Sequence, residues 1–196
     1  GNNDGDRQWA GQVIFSHFPI INKGMIRFPR PGMPESLIFA DILFQSDTVR
    51  IFTTHLQSVQ FKKSDYEAIE SIKNKGDVVV ENSKNIFSKL KRGAVRRSRQ
   101  AEIVRETIVK SPHPYVITGD FNDVPNAFTY FQIRGNRSDA FISRGAGIGR
   151  TYASISPTLR IDYILSDQRF KIIQCKKVEL SYSDHYPVIA DLELRK

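Results

Sequence analysis

The sequence predicts a mixed α/β fold, of the α+β or layered α/β sandwich kind, on three observations. Short runs rich in Val, Ile, Tyr and Phe, the composition of strands, fill most of the 196 residues. One long stretch in the middle carries a helical period instead. No strand–helix–strand unit recurs at a regular interval, so a doubly wound parallel sheet is not expected. The length suits one domain with a real core, and residues 1–196 are read as a single unit.

Gln12-Val13-Ile14-Phe15-Ser16 is the first expected strand, ended by Pro19. Leu37–Phe44 and Thr48–His55 flank the short link Gln45-Ser46-Asp47, which predicts a hairpin. A weaker helical pattern covers Ser64 to Lys75. From Ser83 to Lys110, residues Phe87, Leu90, Ala94, Ala101, Val104 and Ile108 recur at steps of three, four and seven. That is one apolar face of a helix, with Ser83 as its cap; Gly93 leaves open a division into two. Tyr115–Asp120, Leu159–Leu165, Phe170–Leu180 and Pro187–Leu194 are the remaining strands. Pro29–Pro34 is a loop, and Gly145–Gly149 is a connector, because no Gly-Lys-Ser/Thr follows it to make a phosphate loop.

Composition narrows the function classes. With 40% hydrophobic and 26% charged residues the chain has an ordinary globular balance, and no apolar run approaches the roughly 20 residues that span a bilayer. The start, GNNDGDRQWAG, has neither the basic head nor the apolar stretch of a signal peptide, and localisation is not legible. Cys175 is the single cysteine, which excludes an internal disulfide and a cysteine-rich zinc site and suits a small core residue on a strand. The net charge of +8 favours phosphate-bearing partners. The basic run from Lys89 to Arg99 reads as a solvated helix face, and His17 and His113 as surface or loop residues.

The chemistry sits at four strand ends. One strand ends in His55, another in Asp120 with Asn122 just beyond, a third carries Asp162, and the stretch before Pro187 ends in Asp184-His185. Sheet topology can bring such ends to one rim. Carboxylate and amide oxygens suit a hard cation such as Mg²⁺ or Mn²⁺, and a histidine beside them can exchange a proton. An inward-facing Asp162 would need a partner, and His185 is the expected one; a solvent-facing Asp162 fits the alternation equally well.

The ordered set THL (54–56), GDFN (119–122), RIDYIL (160–165) and SDHYPV (183–188) resembles the endonuclease/exonuclease/phosphatase superfamily, which includes pancreatic deoxyribonuclease, abasic-site endonucleases, neutral sphingomyelinases and inositol polyphosphate phosphatases. GQVIFSHFPI (11–20) and the Arg99-Gln100 pair add to the likeness. The resemblance implies a four-layered α/β sandwich, two mainly antiparallel sheets packed together with helices outside, and metal-assisted attack of water on a phosphate ester of DNA, a phospholipid headgroup or a small molecule. It implies that Asp120 and Asn122 orient the water, that Asp184 contacts the metal, that His185 contacts the phosphate or takes the water's proton, that Asp162 orients His185, and that His55 serves the leaving oxygen.

The family pattern begins earlier, with an asparagine and a glutamine–glutamate pair whose glutamate is the main metal ligand. The one glutamate before His55 is Glu35, out of order, and Asp4 and Asp6 follow no strand. The expectation is therefore an N-terminally incomplete domain, weak in Mg²⁺ binding and in turnover, with an exposed sheet edge open to self-association. The rival class is a non-catalytic basic module that grips nucleic acid or acidic membrane.

Overall fold

The computed structural model describes residues 11–29, 35–59, 61–75, 80–153 and 158–195. The leader with Asp4 and Asp6 and the loop at 30–34 lie outside the described residues. The elements run β1 (Ile20–Arg27), β2 (Ser36–Phe44), β3 (Asp47–His55), α1 (Lys63–Lys75), α2 (Val80–Ile108), β4 (Tyr115–Asp120), α3 (Phe128–Arg134), β5 (Ser138–Asp139), α4 (Ala140–Arg144), β6 (Asp162–Ser166), β7 (Phe170–Lys177) and β8 (Val188–Leu194). Six strands form one sheet in the order β1-β2-β3-β4-β6-β5, and β7 and β8 form a second. Among the described strands only β3 and β4 pair in parallel; the other pairs are antiparallel, so the expected class of two mainly antiparallel sheets with flanking helices is the one observed.

The central position of β4 follows from its sequence. Tyr115 and Ile117 join the cluster under α2 and α3, with Phe52, Leu165, Val104 and Ile108. Val116, between them, points to the other face and meets Val49, Phe170, Leu192 and Leu194, where the second sheet packs. A strand buried on both faces needs a continuous apolar run rather than an alternation, and Tyr115-Val116-Ile117 is one. The β2–β3 hairpin turns at Gln45 with φ 57°, the left-handed geometry that a tight hairpin requires.

Several expectations fail, among them Ser83 as the cap of the long helix, which begins at Val80. Residues 12–16 form no strand; Val13 and Phe15 are exposed, and the outer edge of β2 is taken by β1, an element the sequence reading missed. What holds the segment is instead Gln12, whose side chain bonds the backbone and hydroxyl of Ser36. Another failure concerns the long helix. It is continuous through Gly93, but only the C-terminal half of its expected apolar face is buried: Ala101, Val104 and Ile108 have no exposure, whereas Phe87 is 68% exposed. Nearer its start, the inward stripe is Gly93, Arg97 and Gln100. In addition β6 begins at Asp162, so that residue opens its strand rather than sitting within it. Cys175 is buried on β7 as expected, and α1 matches the weaker helical pattern closely.

Two local devices hold this frame. Asp139, 2% exposed, accepts from Tyr130 Oη at 2.7 Å and Arg160 Nη1 at 2.9 Å, and caps α4 through the N–H groups of Phe141 and Ile142. Gly119 has φ 140° and lies so close to β3 that a Cβ would collide with the Thr54 carbonyl oxygen. Asp139→Ala strands a buried guanidinium and is expected to cost about 3–5 kcal/mol, read by denaturant unfolding. Gly119→Ala combines backbone strain with that collision, and the same measurement should show a loss of at least about 1–3 kcal/mol.

Candidate active site

Strand register assembles the centre of the site. β3 and β4 pair with His55 opposite Asp120, and β4 and β6 pair with Asp120 opposite Asp162. Facing positions on neighbouring strands emerge on the same side of a sheet, so the three form a row across one end of it. His185 reaches the row from the connection between β7 and β8, held by a single bridge to Tyr152 and by that ring, with centroids 4.9 Å apart.

The Asp120 carboxylate is the hub. Its Oδ2 lies 3.6 Å from His55 Nε2 and 3.9 Å from His185 Nε2. Asn122 has φ 51°, a conformation asparagine tolerates, which lets its backbone N–H donate to Asp120 Oδ1 at 2.7 Å. Its side-chain amide donates to Asp120 Oδ2 and to the Leu56 carbonyl, each at 3.0 Å, and comes within 3.3 Å of His55 Nε2. The other ring nitrogen of His185, Nδ1, is 2.9 Å from Asp162 Oδ2. Asp120, Asp162 and His185 each offer one ligand atom within 4.8 Å of the others. Asp184 is exposed; it lines the same cavity but lies outside that group. All six residues singled out from the sequence thus gather here, and Asp162 faces His185 rather than solvent.

Burial and the neighbouring Asp162 charge push Asp120 up from an ordinary 3.8 to about 7. The hydrogen bond to Asp162 raises His185, against the opposing effect of burial, while burial lowers His55. The two histidines are therefore driven apart: His185 retains its proton to higher pH than His55.

Gln100, half of the pair the resemblance singled out, is buried on α2 and accepts from the Gln57 backbone N–H at 2.8 Å; other supporting residues escaped the sequence reading. Arg97, 4% exposed, donates to Asp123 Oδ2 at 3.0 Å and to the Gln57 carbonyl at 3.2 Å, tying together the loops that follow His55 and Asp120. Arg99, which the resemblance favoured, is exposed. The helical period was the available signal, since Arg97 stands seven residues before Val104, on the buried stripe. Thr151 Oγ1 accepts from the N–H groups of Ile161 and Asp162, steadying the start of β6. Glu35, set aside as out of order, is buried, and its charge reaches His55.

The donor set fits a hard divalent cation. It consists of carboxylate oxygens and imidazole with no thiolate, and a cation would offset the burial and the neighbouring Asp162 charge that keep Asp120 from ionising.

Known proteins share this frame. The structure of an endonuclease/exonuclease/phosphatase from Bacteroides vulgatus superposes with a TM-score of 0.64 at 19% identity, covering 91% of this chain and 67% of that one. D. rerio TDP2, complexed with single strand DNA product, gives 0.57 at 16% identity, with 89% and 68% covered. Sphingomyelinase C from Streptomyces griseocarneus gives 0.55 at 17% identity, with 89% and 65% covered. At these identities the likeness is one of fold, and the chain spans about two thirds of each structure's length. No curated protein matches the sequence. The model of the Endonuclease/Exonuclease/phosphatase family matches residues 2–185. The chain belongs to that family, whose members are phosphoester hydrolases and nucleases that generally depend on divalent metal.

Proposed function

We propose that this chain is a Mg²⁺- or Mn²⁺-dependent phosphoesterase that directs water onto the phosphorus of a phosphate ester. The observation that carries the reading is the meeting of Asp120, Asp162 and His185 within 4.8 Å, with His55 and Asn122 against the same carboxylate. A binding module has no use for a buried acid held near pH 7 between two histidines, and such perturbed groups mark catalytic sites.

Asp120 orients the attacking water and accepts its proton, a task suited to a group that ionises near the working pH. Asn122 holds the Asp120 carboxylate in place and lines the path of the water. As the water oxygen bonds to phosphorus, the bond to the ester oxygen breaks. His185, kept protonated by Asp162, binds a non-bridging phosphate oxygen; neutral His55 donates a hydrogen bond to the leaving oxygen, which takes its proton from solvent. Asp184, which lines the same cavity, would hold the cation, leaving Asp120 for the water and Asp162 for His185. A bound divalent cation supplies neutralisation of the phosphate charge. Self-association through an edge of the second sheet, where among the described residues β7 and β8 pair only with each other, belongs to the same reading, and sedimentation of the chain at rising concentration tests it.

Three outcomes test the chemistry. Asp120→Asn should lower Mg²⁺-dependent cleavage of an aryl phosphodiester and of plasmid DNA by about a hundredfold or more. With Mg²⁺ bound, activity should rise with pH as Asp120 ionises, on a limb lying below the value of about 7 that the carboxyl has without the cation, and fall above the raised His185 value; Asp162→Asn should move that basic limb to lower pH. The third outcome is read by thermal melting in chelator. Because the folded pKa of Asp120 exceeds the unfolded one, its ionisation destabilises the fold as pH climbs from about 4 to about 7. Asp120→Asn should therefore melt higher than the wild type at pH 8 and level with it near pH 4, and Mg²⁺ should narrow the gap at pH 8.

A further inference from the structure

The cavity of about 530 Å³ that holds the acids and histidines has a second, chemically different wall. Phe61 and Tyr66 form it, with Val59 and Leu90 beside them. The two rings meet edge to face, with centroids 5.7 Å apart and planes at 78°. Their position is built in. Asp65 accepts from the Lys62 backbone N–H at 2.6 Å and pairs with Lys89 of α2, so the first turn of α1 is fastened against the long helix with Tyr66 at the cavity. Tyr66 is nevertheless 38% exposed, a large ring turned toward open space beside a polar centre.

The charges on this cavity narrow the choice of guest. Arg97 is the one arginine or lysine among its described lining residues, and it is engaged by Asp123 and the Gln57 carbonyl. A second or third phosphate on the substrate would find no unengaged guanidinium or ammonium group among the described lining residues, whereas bidentate or clustered cations are what polyphosphates require. A perpendicular ring pair presents one π-face and one positive ring edge. A flat aromatic guest satisfies both, stacking on the face and receiving the edge on its own face. A quaternary ammonium group would gain from the face and be repelled by the edge.

We propose that Phe61 and Tyr66 are specificity-determining residues that bind a flat aromatic group, a nucleobase or an aryl ring, carried by the phosphate ester. The inference rests on the reading of the acid and histidine cluster as a phosphate site. The cavity is large enough for a phosphate and one ring system.

Non-hydrolysable phosphonates separate this inference from catalysis. Calorimetric binding with saturating Mg²⁺ would compare methylphosphonate with phenylphosphonate, and ethylphosphonate with its adenine-bearing analogue; phosphocholine is the cationic control. The ring-bearing member of at least one pair should bind about tenfold more tightly, the scale of one aromatic stack. The phenyl pair reports an aryl ester and the adenine pair a nucleotide. Phe61→Leu and Tyr66→Leu keep the apolar volume; each should erase the ring preference while leaving methylphosphonate affinity and the melting temperature unchanged. Equal binding with and without the ring overturns the aromatic wall alone, as does an equal loss for both probes in the variants. Tighter binding of phosphocholine overturns it too. Failure of every phosphonate to bind overturns the phosphate site and the wall together.

Discussion

The approach of β4 to β3 at Gly119 is the constraint on which the site depends. Thr54 and Gly119 pair in parallel register, one step before His55 and Asp120, and the space between them has no room for a Cβ. A side chain there would push the strands apart where their ends must present the imidazole and carboxylate together. Gly119 also takes a φ that other residues rarely adopt, and the chain leaves β4 through Asn122, itself at positive φ. Two unusual backbone positions thus flank Asp120 and set the direction of its carboxylate.

The opposite edge of β4 does the complementary work. Its register with β6 brings a second carboxylate, Asp162, directly beside Asp120. Two adjacent acids in a half-buried row repel, and the arrangement persists because each has other partners. Asp162 bonds the His185 ring, while Asp120 accepts from the backbone and side chain of Asn122. Burial, with the repulsion from Asp162 added to it, holds Asp120 near pH 7, where it can exchange a proton.

Helix α2 serves the site from behind. Its buried C-terminal residues Ala101, Val104 and Ile108 pack on the sheet, and one or two turns earlier the same stripe carries Arg97 and Gln100 to the loops after His55 and Asp120. The helix is thereby both part of the core and a brace for the rim. Its basic residues divide accordingly: Arg97 is buried and bonded, whereas Arg92, Arg96 and Arg99 face solvent.

What the sequence determined by itself was the set of strands that enter the core and the polar groups at their ends. Tyr115–Asp120 was legible because a strand buried on both faces must be apolar throughout, and the hairpin was legible from its short polar link. The helical period located α2, since side chains three and four apart share a face wherever the helix lies. The segment 12–16 misled because a run of Val, Ile and Phe signals a strand only if a neighbouring edge is free, and β1 occupies the edge of β2. The burial of Arg97, the exposure of Phe87 and the facing of Asp162 toward His185 were likewise decided by packing, not by local pattern. Register was the deciding quantity. A shift of one residue in β3–β4 or β4–β6 would turn His55 or Asp162 to the opposite face, and only the tertiary contacts that lock those strands place the three groups in one row.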